Sequence, residues 1–306
     1  MGAANRDSRR RAAGLLGAKR VSSARRPVAG GTLRMVSLPS DSSASGAPMS
    51  RRPRRRALVT GGGVRVGRAI ALALGKAGYD VAVHYRSSET AAGEVVSRLQ
   101  EMGRKARALQ ADLADPDQLS ALFRELRSEW DRIDLLVNNA AAFPPGRPEE
   151  VSVEEWDRLF ALNLRAPFLC ARQARRLMRA GAAIVNVADV AAFEAWPGYL
   201  PYAATQAGLV SVTRSLALAW APEIRVNAVA PGAVLLPEGA TSQERRSAAE
   251  RSALGRVGRA EDVARAVLYL AEADYVTGEV LRVDGGAHLM RTWRPPGLSQ
   301  RKRPSP

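Results

Sequence analysis

The sequence predicts an α/β fold: a Rossmann-like, doubly wound parallel sheet of about seven strands with helices on both faces. Three observations predict it. From Ala57 onward, short apolar runs alternate with segments of helical periodicity. The first run ends in a glycine-rich turn, Thr60-Gly61-Gly62-Gly63-Val64-Arg65-Val66-Gly67, placed to open a helix. The alternating stretch is close to neutral, whereas both chain ends are strongly basic.

Apolar strands are expected near residues 57–60, 81–85, 106–110, 133–138, 182–188, 224–230 and 279–283. Helical patterns lie between them, near 66–77, 89–102, 116–129, 154–180, 202–220 and 261–272. Right-handed crossovers then place a ligand at the carboxyl ends of the strands. In the turn, glycines let the backbone bend sharply and approach a ligand. The helix behind offers free N–H groups and a positive dipole end to a phosphate. Gly61 and Gly67 are six apart with Arg65 between them. That departs from the common G-x-G-x-x-G spacing, so a purely structural turn is the competing reading. Residues 235–258, with Gly239 and a polar run, read as a mobile segment carrying a short helix.

Charge divides the chain into three. Of 46 Lys and Arg, 14 lie in residues 1–56 and 5 in residues 291–306, leaving 27 against 28 acids in residues 57–290. The net charge of +16 therefore belongs to the ends and is uninformative about a site in the middle. Residues 1–56 are expected to be a disordered basic arm, 57–290 the folded domain and 291–306 a basic tail. Three readings of the arm compete: a transit-type leader, a loose nucleic-acid contact, or translation upstream of a true start at Met35 or Met49. The third is preferred, because the Ala and Arg content suggests a GC-rich coding sequence. No specific nucleic acid or membrane partner is expected, and a cytoplasmic location is. One cysteine, Cys170, leaves no internal disulfide and is expected to fill a helix core. With only His84 and His288, a histidine zinc site or a serine-hydrolase triad is disfavoured, and no metal is expected.

The candidate chemistry falls at strand ends. The second strand ends His84-Tyr85-Arg86-Ser87-Ser88. An acid there would accept from a ribose 2′-OH, but none is present. Arg86 and the serines suit a 2′-phosphate instead, and Arg65 could add a second charge. The plainer reading of Arg86 is a solvated loop residue. Asp112, after the third strand, can meet an adenine amino group or simply open a helix. After the fourth strand, Asn138 and Asn139 can hold the turn and line the crevice. Phe143 can stack on a flat substrate or merely cover the core. Asn163 lies within a helical pattern, a poor place for Asn on propensity, which argues for a specific hydrogen bond. The fifth strand ends near Asp189. Tyr202 and Gln206, at i and i+4, share one helix face. A tyrosine and a carboxyl converging near a hydride acceptor make a proton-donating pair, although Tyr202 alone would be ordinary. Phe193, Trp196, Tyr199 and Leu200 could form a substrate wall favouring an apolar or aromatic ligand.

Taken together, residues 57–290 resemble the short-chain dehydrogenase/reductase family. The motifs that carry this are TGGGVRVG at 60–67, NNA at 138–140, Asn163, the Tyr202 helix, Pro231-Gly232 and VTGEVLRVDGG at 276–286. Arg65, the HYRSS run, Asp189 and NNAAAF look like its pteridine reductase branch. That resemblance implies NADPH, a pterin-like or other flat small-molecule substrate, and a homotetramer or dimer. By the same resemblance Tyr202, Asp189, Asn163 and Gln206 would be catalytic. Gly61, Arg65, Val66, Gly67, Tyr85, Arg86, Ser87, Asp112, Leu113, Asn139, Ala140, Pro231, Gly232 and Val234 would line the cofactor, together with Tyr202 and Gln206. Phe143, Asp189, Trp196 and Tyr202 would meet substrate. One departure matters: the family's YxxxK lysine is replaced by Gln206. Gln can hydrogen-bond a ribose but cannot supply the charge that lowers the tyrosine pKa. A weakened reductase is therefore expected. A 3-oxoacyl-type ketone reductase and an inactive NADPH-binding scaffold are the alternatives.

Overall fold

Seven short, β-rich apolar runs pair side by side in one all-parallel sheet of order β3-β2-β1-β4-β5-β6-β7. The strands are β1 Arg56–Val59, β2 Asp80–Tyr85, β3 Ala106–Gln110, β4 Leu135–Asn138, β5 Ala182–Val187, β6 Ile224–Pro231 and β7 Val280–Val283. The computed structural model describes residues 54–236 and 239–290. The expected basic arm, apart from its last three residues, and the basic tail lie outside them.

Alternate strand residues face opposite layers, as the pleat requires. Leu58, Leu136 and Ile184 point into one core, closed by α3 (Pro116–Glu129), α5 (Ala166–Arg175) and α6 (Leu200–Trp220). Val59, Val137 and Val185 point into the other, closed by α1 (Arg65–Lys76), α2 (Glu89–Glu101) and α8 (Ala260–Glu272). The two-sided burial explains why the strands read as continuous apolar runs rather than alternating ones. Ile70 and Leu74 of α1 are fully buried, each worth about 1.5–3 kcal/mol of apolar transfer. The free thiol of Cys170 is buried in the first core, as expected, and its pKa is pushed up to about 12.

Two boundaries are corrected. The fold starts before Ala57, because Arg56 opens β1 and its backbone N–H is held by the Asp134 carboxylate. The expected helix 154–180 is three pieces: α4 (Val153–Phe160), a π-helical turn (Ala161–Arg165) and α5, which stops at Arg175. The π turn contains Asn163, whose side chain is bonded to the chain after β4 rather than left to solvent. In the 235–258 segment, α7 (Ser242–Glu250) is the short helix expected there, started by a Thr241–Glu244 capping box.

Between β1 and β4 the strand order reverses direction along the sheet, because the chain crosses from β3 back past β1. The carboxyl ends of these two strands splay their loops apart and leave a crevice.

Candidate active site

At that crevice the glycine turn is held by its neighbours. Thr60 Oγ1 accepts from the N–H groups of Asn139 (2.8 Å) and Ala140 (3.0 Å). The Asn139 amide donates to the carbonyls of Thr60 and Gly61 at 3.0 and 3.1 Å. Gly61 takes φ +61°, a conformation that favours glycine. A Cβ on Gly67 would lie 2.0 Å from Gly61 O, so the helix can approach the turn only as glycine. Helix α1 then begins with no side-chain cap on Val64 and no acid in its first turn. Its first N–H groups have no partner in the helical ladder and face the crevice mouth.

The cavity beside this turn has a volume of about 340 Å³. Of the expected cofactor residues it brings together Gly61, Arg65, Val66, Gly67, Arg86, Asp112, Leu113, Asn139 and Ala140. Arg86 and Ser87 are exposed at the end of β2. Arg65 lines the same cavity, and its guanidinium donates to Leu235 O at 2.6 Å. Tyr85 is corrected: its side chain is buried in the second core and offers no ring to the cavity. Gly232 is glycine for another reason, since a Cβ there would meet Asp284 at 2.7 Å. Pro231 closes β6, and Val234 bridges to Gly258. Asp112 Oδ1 accepts from Ala114 N–H, but the helix-opening duty weighed for it falls to Asp115, whose side chain accepts from the N–H groups of Asp117 and Gln118 at the start of α3.

A second cluster lies after β5. Asp189 caps a short 3₁₀ turn, Val190–Phe193, by accepting from Ala191 N–H at 2.8 Å. Its other carboxylate oxygen accepts from the Tyr202 hydroxyl at 3.2 Å. Burial raises the Asp189 pKa to about 6, against the pull of the Ala191 and Tyr202 hydrogen bonds. Burial also raises the Tyr202 pKa, with the Asp189 charge and hydrogen bond adding to it. The two raised values mean a phenol that stays protonated and a carboxyl that changes state near neutrality.

One turn along α6, Gln206 is 2% exposed. Its Nε2 reaches Thr205 Oγ1 at 3.4 Å, but its Oε1 is buried without a hydrogen-bond partner among the described residues. A buried acceptor of this kind is costly unless a ligand donates to it. Phe143 is 53% exposed, stacked on Tyr199 at 4.5 Å and edge-on to Tyr202 at 4.6 Å. Trp196 stands 6.3 Å from Phe143, its Nε1 bound to Glu194. Asn163 reaches neither Tyr202 nor Asp189 by any hydrogen bond; its amide clamps the N–H and C=O of Ala142 at 2.9 and 2.8 Å.

Val64, His84, Ala111, Ala141, Ala142 and Leu162 also line the cavity beside the glycine turn and were not among the expected cofactor residues. Leu162 is presented by the π turn and carries no signal of its own in the sequence. His84 did carry one, a polar residue inside the wholly buried strand Asp80–Tyr85. Among the described residues no group of three His, Cys, Asp or Glu could hold a metal ion, and no helix is long and apolar enough to cross a membrane.

Known proteins agree with this architecture. Residues 63–288 match the family described as enoyl-(acyl carrier protein) reductase. The chain is 35% identical to a 3-oxoacyl-[acyl-carrier-protein] reductase of Staphylococcus aureus, over 77% of this chain and 98% of the relative. It resembles the structure of a blue fluorescent protein from a metagenomic library in complex with NADPH, at TM-score 0.72 and 34% identity, covering 76% and 97% of the two chains. The angucycline C-6 ketoreductase LanV with bound NADP gives TM-score 0.72 and 33% identity, covering 77% and 96%. With a seven-stranded parallel sheet, a glycine turn at its switch point and these relatives over three quarters of its length, the chain belongs to the short-chain dehydrogenase/reductase family of oxidoreductases.

Proposed function

We propose that this protein is an NADPH-dependent reductase of a flat C=O or C=N substrate, pterin-like or an aromatic ketone. The observation that carries the reading is the Tyr202–Asp189 hydrogen bond beside an aromatic cluster and a buried, unpartnered Gln206 oxygen. The residues fit a phosphorylated dinucleotide: an uncapped helix start, a glycine-only approach at Gly67, and Arg86 where a 2′-OH reader would carry an acid. Relatives of similar fold were determined with NADPH or NADP bound.

In this reading Arg86 and Ser87 hold the 2′-phosphate. Asp112 and Leu113 flank the adenine, and Gly61, Val66, Gly67, Asn139 and Ala140 line the diphosphate path. Pro231, Gly232 and Val234 border the nicotinamide end. Gln206 Oε1 accepts from a ribose hydroxyl, which relieves its unmet hydrogen bond. When bound, NADPH supplies the hydride. Tyr202 gives its hydroxyl proton to the substrate oxygen or nitrogen, and protonated Asp189 can refill it through the bond already present. Asn163 is a positioning residue, because it fixes Ala142 and with it the approach to Phe143. Phe143 and Trp196 form the flat wall that selects an aromatic substrate.

A 3-oxoacyl thioester reductase is the second reading, favoured by the likeness to the Staphylococcus enzyme. Loss of NADPH absorbance with a panel of pterins, aromatic ketones and 3-oxoacyl thioesters tests both. Turnover confined to the thioesters rejects the first reading, and binding of NADPH with no turnover on any of them makes the protein a scaffold. We also propose a homo-oligomer, supported by Leu218 and Phe168, apolar and exposed on α6 and α5. Light scattering of the full chain measures it.

A further inference from the structure

His84 is a buried titratable group that the chemistry above does not use, yet it stands in the cavity wall. Its ring and backbone both grip the glycine turn. Nδ1 lies 3.0 Å from Gly61 N, and the backbone carbonyl accepts from Gly62 N–H at 2.9 Å. On the far side of the ring, Nε2 is 3.0 Å from Ala111 O. The partners settle the tautomer. A backbone N–H only donates and a carbonyl only accepts, so Nδ1 is bare and Nε2 carries the hydrogen. Burial agrees, holding the ring neutral by lowering its pKa to about 4.

The consequence is geometric. Gly61 is pinned from both flanks, by His84 on the β2 side and by the Asn139 amide on the β4 side. Ala111 directly precedes Asp112 and Leu113, which line the same cavity. One imidazole thus ties three separate cofactor-facing segments: the glycine turn, the end of β2 and the end of β3. It also occupies the Gly61 N–H, so a bound phosphate must be met by donors further along, at the start of α1.

We propose that His84 is a positioning residue for the dinucleotide, setting the glycine turn through its Nδ1 acceptor to Gly61. The inference rests on the reading of this cavity as the cofactor site. Two substitutions separate the two ends of the ring. In His84→Asn the short amide places an oxygen near the Nδ1 position and keeps the Gly61 acceptor. In His84→Gln the longer amide reaches toward Ala111 and leaves Gly61 without one. His84→Phe keeps the ring volume and loses both bonds. NADPH dissociation constants by fluorescence titration, with melting temperatures of the ligand-free proteins, are the readouts.

NADPH affinity is expected to fall at least tenfold in His84→Gln and His84→Phe and to stay within about threefold of the parent in His84→Asn. Melting temperature is expected to fall in all three. Affinity that tracks melting temperature across the series would mean His84 merely supports the fold, and would overturn the proposal. Parent-like affinity in His84→Gln would do the same. If the unaltered protein binds neither NADPH nor NADH, the cofactor reading itself fails and the proposal falls with it.

Discussion

Restoring a cation at position 206 tests the proton-donating pair most directly. Gln206 sits one helical turn from Tyr202 on the same buried face of α6, and Tyr202 is bonded to Asp189. Side chains at i and i+4 start about 5–6 Å apart. A unit charge at about 6 Å and an effective dielectric of about 20 is worth roughly 2.8 kcal/mol. At about 1.4 kcal/mol per pKa unit, that lowers both acids by about two units. Asp189, now raised to about 6, would return near its ordinary value. Tyr202 would come down from its raised position by a similar amount. The carboxylate would then be ionised throughout the neutral range and Tyr202 would be the stronger acid. In Gln206→Lys, NADPH oxidation at pH 7 is expected to rise severalfold with any accepted substrate. The inflection of the kcat/KM profile is expected to move about two units toward acid. An inflection displaced by less than half a unit, in a protein whose melting temperature shows the lysine is tolerated, would refute the electrostatic account of Gln206.

Three further outcomes follow from the same geometry. Asp189 has a folded pKa above its unfolded one, so the native state holds the proton longer. Its contribution to stability is full below about pH 3.8 and is lost as pH rises through about 6. Asp189→Asn should therefore raise stability at pH 8 by up to about 3 kcal/mol relative to pH 4, read by urea denaturation at the two pH values. Arg86→Ala should weaken NADPH binding about 10- to 100-fold, the worth of a charge-assisted hydrogen bond of about 1.5–3 kcal/mol, while leaving NADH unchanged. Equal losses for both nucleotides would place Arg86 away from the 2′-phosphate. Asn163→Ala should cost about 2–4 kcal/mol in chemical denaturation, because the Ala142 N–H and C=O are left unpaired in a partly buried segment.

Why the fold could be read from residue order, and parts of the site could not, comes down to range. Strands such as Leu135–Asn138 and Ala182–Val187 announce themselves because both faces are buried and every residue must be apolar or paired. The glycine turn is legible because Gly61 and Gly67 answer local steric demands. The π turn at Ala161–Arg165 is not legible in residue order, and the Asn163 it carries is bonded to Ala142, 21 residues away. The misfit of Asn in a helical pattern was the trace it left. Tyr85 misled for the opposite reason: its neighbours in the motif suggested a ligand contact, whereas strand parity turns its ring into the core. Arg65 shows the same limit. Its place in the turn is plain from the sequence, but the direction of a long side chain depends on Leu235, 170 residues on.

Asp189 and Gln206 make most sense as one substitution in two places. With a lysine on α6, an acid at 189 would be ionised, and its charge would offset part of the lysine's pull on the tyrosine proton. Without that cation, burial holds the carboxyl near neutrality and the phenol fully protonated. The phenol then stays a donor through the neutral range, and the site lacks the cation that would let it ionise to the tyrosinate that alcohol oxidation requires. A reductase loses less by this than a dehydrogenase does, because its step takes a proton from neutral tyrosine, whereas oxidation needs the tyrosinate. The pairing therefore biases the chemistry in one direction. Gln206→Lys with Asp189→Ser should restore measurable alcohol oxidation with NADP at pH 9, where the unaltered protein has none. If the unaltered protein oxidises its own product as readily as the double variant does, the coupling of the two positions is wrong.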